Sequence, residues 1–294
     1  MGFFDQLQSL FSTEKKVDLN LRFELLTEGF IGTMSKFHKA RDRENDQIVG
    51  LKLLDMEKIE LFEDRFKAIK KPPEGKIAKT FVHDRIVRTL EHGVSTKGQR
   101  FIVMEFIRGK GMNIHIKNRE ERLIGKRLKM IRQMAEALLE VHRANFIHRD
   151  VCPRNFIVME DMENVKLIDF GLTLPNEEPY RLPGNRTGTP MYMAPEIVRR
   201  RKTDRRVDMF AFGVSCYQLM TFELPWPHAD YTGKGALSHD TEPPVPIEEV
   251  IPDIDETLGK VIMKAMSPAP ENRPESMDAF LQTIRRVKSE MKTA

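Results

Sequence analysis

Cysteine is almost missing: Cys152 and Cys216 are the only two in 294 residues, too few for a disulfide framework and not spaced as a structural zinc site. No run approaches the roughly 18 to 20 uninterrupted apolar residues of a membrane-spanning helix, and the first residues lack the basic start and apolar stretch of a secretory signal. An intracellular, cytoplasmic chain is therefore expected. Internal repeats and low-complexity tracts are absent, which excludes solenoids and arrays. Nor does charge of one sign dominate. Forty-eight Lys and Arg against 44 Asp and Glu leave +4, spread too widely for a nucleic-acid footprint, so no nucleic-acid partner is expected. The densest basic stretch, Arg199, Arg200, Arg201, Lys202, Arg205 and Arg206, reads either as a solvated face or as an attractor of an acidic substrate. What the chain does have is core: 40% hydrophobic residues suffice for one large domain or two packed lobes.

Apolar period and turn signals divide it. Leu25-Leu26, Gly29 to Gly32, Phe37 to Arg41 and Ile48 to Leu54 read as a strand meander. Ile59, Phe62, Phe66 and Ile69 recur at helical spacing from Met56 to Lys70, and Pro72-Pro73 breaks the run before a shorter helical piece through Phe81. Two further strands fit Ile86 to Leu90 and Phe101 to Phe106, separated by a turn-rich Gly93 to Gly98. Beyond Gly109 and Gly111 the period changes from 2 to 3.6. Leu128, Ile131, Met134, Ala135, Leu138, Leu139 and His142 share one face of a helix over roughly 125–144; short strands 156–159 and 165–168 follow, then mostly helix from Val207. Strands first and helices later predict an α+β chain in two lobes, with an extension over 1–20, a β-rich lobe over 21–106, a helical lobe over 107–288 and a tail over 289–294.

The most informative stretch is His148-Arg149-Asp150-Val151-Cys152-Pro153-Arg154-Asn155, followed by Asp169-Phe170-Gly171. Two carboxylates and an amide on loops bounding a short hairpin can converge on one point. Oxygen ligands of that kind suit magnesium, which takes one or two carboxylates and keeps waters and phosphates besides. Asp169 and Asn155 are the candidate metal ligands, and Asp150 is left to accept or orient the proton of an attacking hydroxyl.

With Gly188-Thr189-Pro190-Met191-Tyr192-Met193-Ala194-Pro195-Glu196 downstream and Val49-Gly50-Leu51-Lys52 upstream, the chain resembles the eukaryotic-type protein kinase family, over about residues 21–288. The resemblance implies a bilobal fold, ATP with magnesium or manganese, and a protein substrate phosphorylated on hydroxyls. It implies Lys52 against the ATP phosphates with Glu74 as its partner, Met104 followed by Glu105, Phe106 and Ile107 as the hinge, and Ile157 beneath the adenine. It places Arg149 against a phosphate on the activation segment, for which Thr187 is the favoured acceptor, and Thr189 against Asp150. Arg273 is expected to pair with Glu196, and Asp208 to anchor the catalytic loop.

Four departures follow. Of the family's three loop glycines only Gly32 is clear, with Gly29 one place early. Phe37 takes a position usually valine and Gly50 one usually alanine, which either repacks the pocket roof at constant volume or lays a ring over the adenine position. Cys152 replaces the usual lysine of serine/threonine enzymes, while Arg154 resembles the cation of many tyrosine kinases and can supply the charge instead. Ala78, four after Glu74, is smaller than usual. Ser/Thr specificity is the expected reading from Gly188-Thr189-Pro190; a tyrosine or dual-specificity kinase, a pseudokinase acting as a binding module, and a small-molecule phosphotransferase are the alternatives. Phe3, Phe4, Leu7, Leu10 and Phe11 share one helical face, which is expected to dock on its own lobe or fray, with a partner groove or a membrane surface as the alternatives. Oligomeric state is not legible.

Overall fold

The computed structural model describes residues 16–32, 34–69, 71–183, 187–226, 236 and 238–292; the amphipathic face at residues 3–11 lies outside these. The chain folds as two units, one running to Asp64 and resuming over Arg88–Phe106, the other comprising Arg65–Val87 and everything from Ile107. Residues 65–87, read from sequence as part of a contiguous β-rich lobe, group with the second unit. Among the described residues no helix is long and apolar enough to cross a membrane.

The first unit is an antiparallel sheet of β1 (Phe23–Leu25), β2 (Phe30–Ile31), β3 (Ser35–Asp42), β4 (Gln47–Leu54), β5 (Thr89–Val94) and β6 (Arg100–Glu105), ordered β1-β3-β4-β6-β5 with β2 on β3. Period-2 alternation sends Phe23, Ala40, Val49, Leu51, Phe101 and Val103 into one core cluster and leaves Leu54 and Ile102 to pack with Ile59 on a second. The strand expected over Ile86 to Leu90 begins instead at Thr89 and runs through Val94, using residues read as turn; a register shift between Thr89 and Glu91 accommodates it. The turn shrinks to 95–99, where Ser95 Oγ accepts the amides of Lys97 and Gln99. Residues 16–20, assigned to an extension, belong to this unit: Val17 bridges Ser95, and Asp18 caps Leu19–Arg22 through the amides of Asn20 and Leu21. The helix predicted over 56–70 is α only for Met56–Glu63, then a 3₁₀ stretch over Asp64–Ile69, where Phe66 leaves helical dihedrals.

The second unit is built on two long helices, Arg127–Arg143 and Arg206–Thr221. The latter is buried on nearly every side, as a helix hydrophobic all round must be. Gly213 lets it sit against the following Glu256–Ala265 helix, since a Cβ there would stand 2.9 Å from Ala265 Cβ. Glu290, in the stretch read as a tail, is 3% exposed. Its carboxylate accepts the amides of Gly125 (2.8 Å) and Arg127 (3.0 Å) and the Arg127 Nε (2.8 Å), so it clasps the start of the Arg127–Arg143 helix. Helix-start amides have no intrahelical acceptor, and here a residue 163 positions away supplies one. Glu290→Gln keeps the shape but turns an N–H toward these donors. It should lower unfolding free energy by about 1–3 kcal/mol in urea denaturation; a change under about 0.5 kcal/mol would mean that the tail is dispensable.

Candidate active site

In the second unit the loop after Phe146–Ile147 is held from below by Asp208, 1% exposed on the buried helix. Its Oδ1 accepts the Arg149 amide (2.8 Å), and its Oδ2 accepts the His148 amide (2.8 Å) and the His142 Nε2–H (2.9 Å). Burial alone would raise this carboxyl, but His142 and His148 with the Arg149 amide outweigh it and hold it below the ordinary range. With the loop pinned, Arg149 adopts φ 69°, a left-handed conformation that a long side chain takes only where its surroundings over-determine it.

Asp150, 7% exposed, is the centre of the loop. Oδ1 accepts the Thr189 amide (3.0 Å) and hydroxyl (2.7 Å); Oδ2 accepts Asn155 Nδ2 (3.0 Å) and Arg154 NH2 (3.0 Å). A carboxylate has about four lone-pair positions, so these four donors occupy it fully. Asn155 also bonds the Asp150 carbonyl (2.7 Å), which fixes its amide and leaves Oδ1 as its remaining acceptor. Arg154 is resisted by burial yet raised above its ordinary value by Asp150 first and by Asp169 among the others. Asp150, Arg154, Asn155 and Asp169 thus share one electrostatic neighbourhood. Asp169 is exposed, at φ 67°, with Oδ1 accepting the Gly171 amide. Phe170 behind it is buried and stacked on Phe81 at 4.8 Å, with His148 at its edge, so packing turns the aromatic inward and the carboxylate outward.

One amide oxygen and one carboxylate are a hard-oxygen pair of the kind magnesium accepts alongside phosphate and water. Among the described residues no three His, Cys, Asp or Glu side chains form a metal cage. Cys152 is buried, and burial with Asp150 beside it pushes its thiol up to about 12; it lies 3.8 Å from the Thr189 hydroxyl and is an inert neutral wall rather than a cation or nucleophile.

Arg149 is itself buried, which lowers its guanidinium to about 10, and donates to Thr203 Oγ1 at 3.2 Å. Gly188, φ 128°, lies where a Cβ would meet the Arg149 carbonyl at 2.9 Å, so the segment bearing the half-buried Thr187 passes close over this loop. Glu196 and Arg273 form a bidentate pair at 2.7 and 2.8 Å, both buried. Ile157 lies on the strand Phe156–Met159, paired with Gly111, and Ile107 begins the unit half-buried. Glu74 is the first residue of the short helix Glu74–Lys79, 8% exposed.

The remaining candidates belong to the first unit. Lys52, 7% exposed, pairs across β4 with Phe37 and Ile102, and Gly50 with Met104, which places Phe37, Gly50, Lys52 and Met104 on one face. Glu105 accepts the Arg88 amide at 2.8 Å. Gly32 donates to the Ser35 carbonyl at 2.7 Å. Gly29 has φ 90°, and a Cβ there would meet the His38 ring at 2.5 Å, so its glycine is required by the turn and by His38.

A Cβ on Gly50 would stand 2.8 Å from the Phe37 ring and 3.0 Å from Met104. The ring occupies the volume that the missing methyl vacates. Gly50→Ala should therefore destabilise by about 1–3 kcal/mol through overpacking, and adding Phe37→Val should recover most of it. Urea unfolding of both singles and the double variant measures the coupling; additive effects would show that the two positions are independent.

Sequence reasoning missed His142, Phe81 and Thr203 as supports. His142 was visible only as a polar residue on an apolar helix face, and Phe81 only as the end of a helical piece.

The chain matches the protein kinase domain family over residues 29–285. It is 32% identical over 95% of its length to serine/threonine-protein kinase pkn3 of Myxococcus xanthus, of which it covers 52%. It is 29% identical over 92% of its length to a probable serine/threonine-protein kinase of Clostridium acetobutylicum, covering 40% of that protein. A tyrosine-protein kinase of Myxococcus xanthus, MasK, is 30% identical over 74% of the chain and 35% covered. The chain thus spans about half or less of the length of these relatives.

Proposed function

We propose a reaction for this chain, which belongs to the protein kinase family: transfer of the γ-phosphoryl group of ATP to serine or threonine hydroxyls of a protein. The observation that carries the reading is Asp150, a carboxylate whose every lone pair is directed by a donor from its own loop or from the segment at Thr189. The relatives' names favour serine/threonine acceptors, and so does the Gly188-Thr189-Pro190 segment.

Asn155 Oδ1 and Asp169 would hold a divalent cation, which when bound supplies charge neutralisation at the phosphates. Asp150 orients the acceptor hydroxyl and takes its proton on Oδ2. That oxygen is already filled by Asn155 and Arg154, so one donor must leave. Asn155 is buried and doubly bonded, whereas the Arg154 side chain is 47% exposed and holds Asp150 by a single bond, so it is the donor that moves. Arg154 thereby yields its place to the hydroxyl and carries its permanent charge toward the migrating phosphoryl group, where the family's usual lysine would stand. Within the first unit, Lys52 binds the nucleotide phosphates and Gly32, Phe37, Gly50, Met104 and Glu105 shape its nucleotide-facing surface; Glu74, Ile107 and Ile157, in the second unit, keep the nucleotide-site roles that the family resemblance implies. Arg149 and Thr187 form the regulatory pair, with Thr189 fixing the base.

Incubation of the chain with γ-labelled ATP, magnesium or manganese, and a generic protein acceptor tests the proposal, with phosphoamino-acid analysis of the product. Labelled phosphoserine or phosphothreonine is expected. Nucleotide-dependent thermal stabilisation without transfer would replace the enzyme by a binding module.

A further inference from the structure

Six cations and one carboxylate, Asp204, lie between residues 199 and 206. Of the nearby acids, Asp204 is bidentate with Arg206, Glu178 pairs with Lys202, Glu196 is held by Arg273, and Glu271 acts on Arg206 through space. Among the described residues no carboxylate pairs with Arg200 or Arg201, both exposed, or with the half-buried Arg205.

The backbone under these side chains is fixed. At the end of the helix Pro195–Val198, the Arg201 amide donates to the Glu196 carbonyl (2.8 Å) and the Arg200 amide to the Ile197 carbonyl (3.0 Å). Arg200 sits at φ 54°. That is the left-handed helix stop where glycine, or sometimes asparagine, is usual because a Cβ is penalised there. An arginine in that place keeps a long cation at a conformational cost that a glycine would avoid. The turn is tied down on both sides, by the buried Glu196 and Arg273 pair and by the buried Thr203. Thr203 donates its amide to the Arg181 carbonyl (3.0 Å) and accepts Arg149 NH1 through its hydroxyl. Arg149 precedes Asp150, so this rigid cationic turn abuts the catalytic loop within one unit.

We propose that Arg200 and Arg201, reinforced by Arg205, form a docking surface for an acidic segment of the protein acceptor, so that the enzyme prefers acceptor sites flanked by glutamate or aspartate. The proposal rests on the protein-kinase reading. Charge complementarity selects the occupant: two exposed guanidinia without a carboxylate partner, carried on a turn whose backbone is fixed by hydrogen bonds, steer an acidic partner from a distance.

The test uses the full chain and the double variant Arg200→Asn with Arg201→Gln, in which asparagine tolerates the left-handed turn and neither change touches the catalytic loop. Two acceptor peptides share one core, one flanked by glutamates and one by serine and glycine. Wild type should favour the acidic peptide, and the variant should raise its KM on the order of 5- to 20-fold with kcat unchanged and the neutral peptide unaffected. High salt should abolish the preference. Fluorescence anisotropy with labelled hexaglutamate reads the surface without catalysis. Should wild type phosphorylate neither peptide, the kinase reading fails, while hexaglutamate binding lost in the variant still supports the surface. Equal use of both peptides by wild type, a preference undiminished in the variant, or variant-sensitive binding of duplex DNA or anionic vesicles in place of hexaglutamate would each overturn it.

Discussion

Asp150→Asn should cost on the order of 10² to 10⁴ in kcat, the usual contribution of a positioned general base. That is about 2.7 to 5.5 kcal/mol in activation free energy. Two effects combine. The amide has no basic oxygen pair with which to take the acceptor proton, and its NH2 must face either Thr189, which donates twice to Oδ1, or Asn155 and Arg154, which donate to Oδ2. Whichever way it turns, a donor meets donors, and the loop carrying Arg154 and Asn155 is disturbed. The rate should not fall to the uncatalysed level, because phosphoryl transfer relies chiefly on positioning and charge stabilisation, which other residues supply. Nucleotide-induced thermal stabilisation should persist in the variant. Retention of more than about a tenth of wild-type kcat would remove Asp150 from the role of base.

Much of this site could be named from spacing because it is made of short, chemically specific words: an acid five residues before an amide, a second acid opening the next loop. Asp150 and Asn155 are five apart and touch directly, so local chain geometry alone brings them together. The pair Glu196 and Arg273 is separated by 77 positions and was available only from resemblance. Less legible were contacts between residue types with no chemistry of their own to announce. Phe81 on Phe170 is one aromatic on another, and nothing in either word marks the pairing. Gly29 read as a displaced phosphate-loop glycine, yet its φ and the His38 ring account for it. Among the elements, apolar period located the Arg127–Arg143 helix well, but it misplaced β5, because Gly93 and Val94, which open the stretch read as turn, pair with β6. Glu290 was hidden for another reason. A lone acid near a chain end looks solvated until the amides it caps, some 165 positions earlier, are known.

Asp208→Ala should produce the largest loss of stability, about 3–5 kcal/mol, the range for removing one partner of a buried, hydrogen-bonded charge cluster. Three donors are stranded: the amides of His148 and Arg149 and the His142 Nε2–H. Each orphan costs about 1–3 kcal/mol if nothing replaces the acceptor, and the cavity is small enough that a water reaches only some of them. Set against the 5–15 kcal/mol of an ordinary domain, this should leave a chain that is folded only in part, or whose urea midpoint has fallen steeply. Activity should fall further than the unfolded fraction explains, because Arg149 no longer has a reason to hold its left-handed conformation and Asp150 follows it. Asp208→Asn separates charge from shape. The carboxyl is held below its ordinary value in the native state by His142 and its neighbours against the opposing effect of burial. Its stabilising contribution is therefore complete above the unfolded value of about 3.9 and is lost as pH falls through the lower native value. Below about pH 4 the wild type should lose stability more steeply than Asp208→Asn, since the amide has no proton to gain. Parallel acid slopes for the two proteins, or a loss below about 1 kcal/mol in Asp208→Ala, would mean that the loop bearing Asp150 is positioned by something other than this carboxylate.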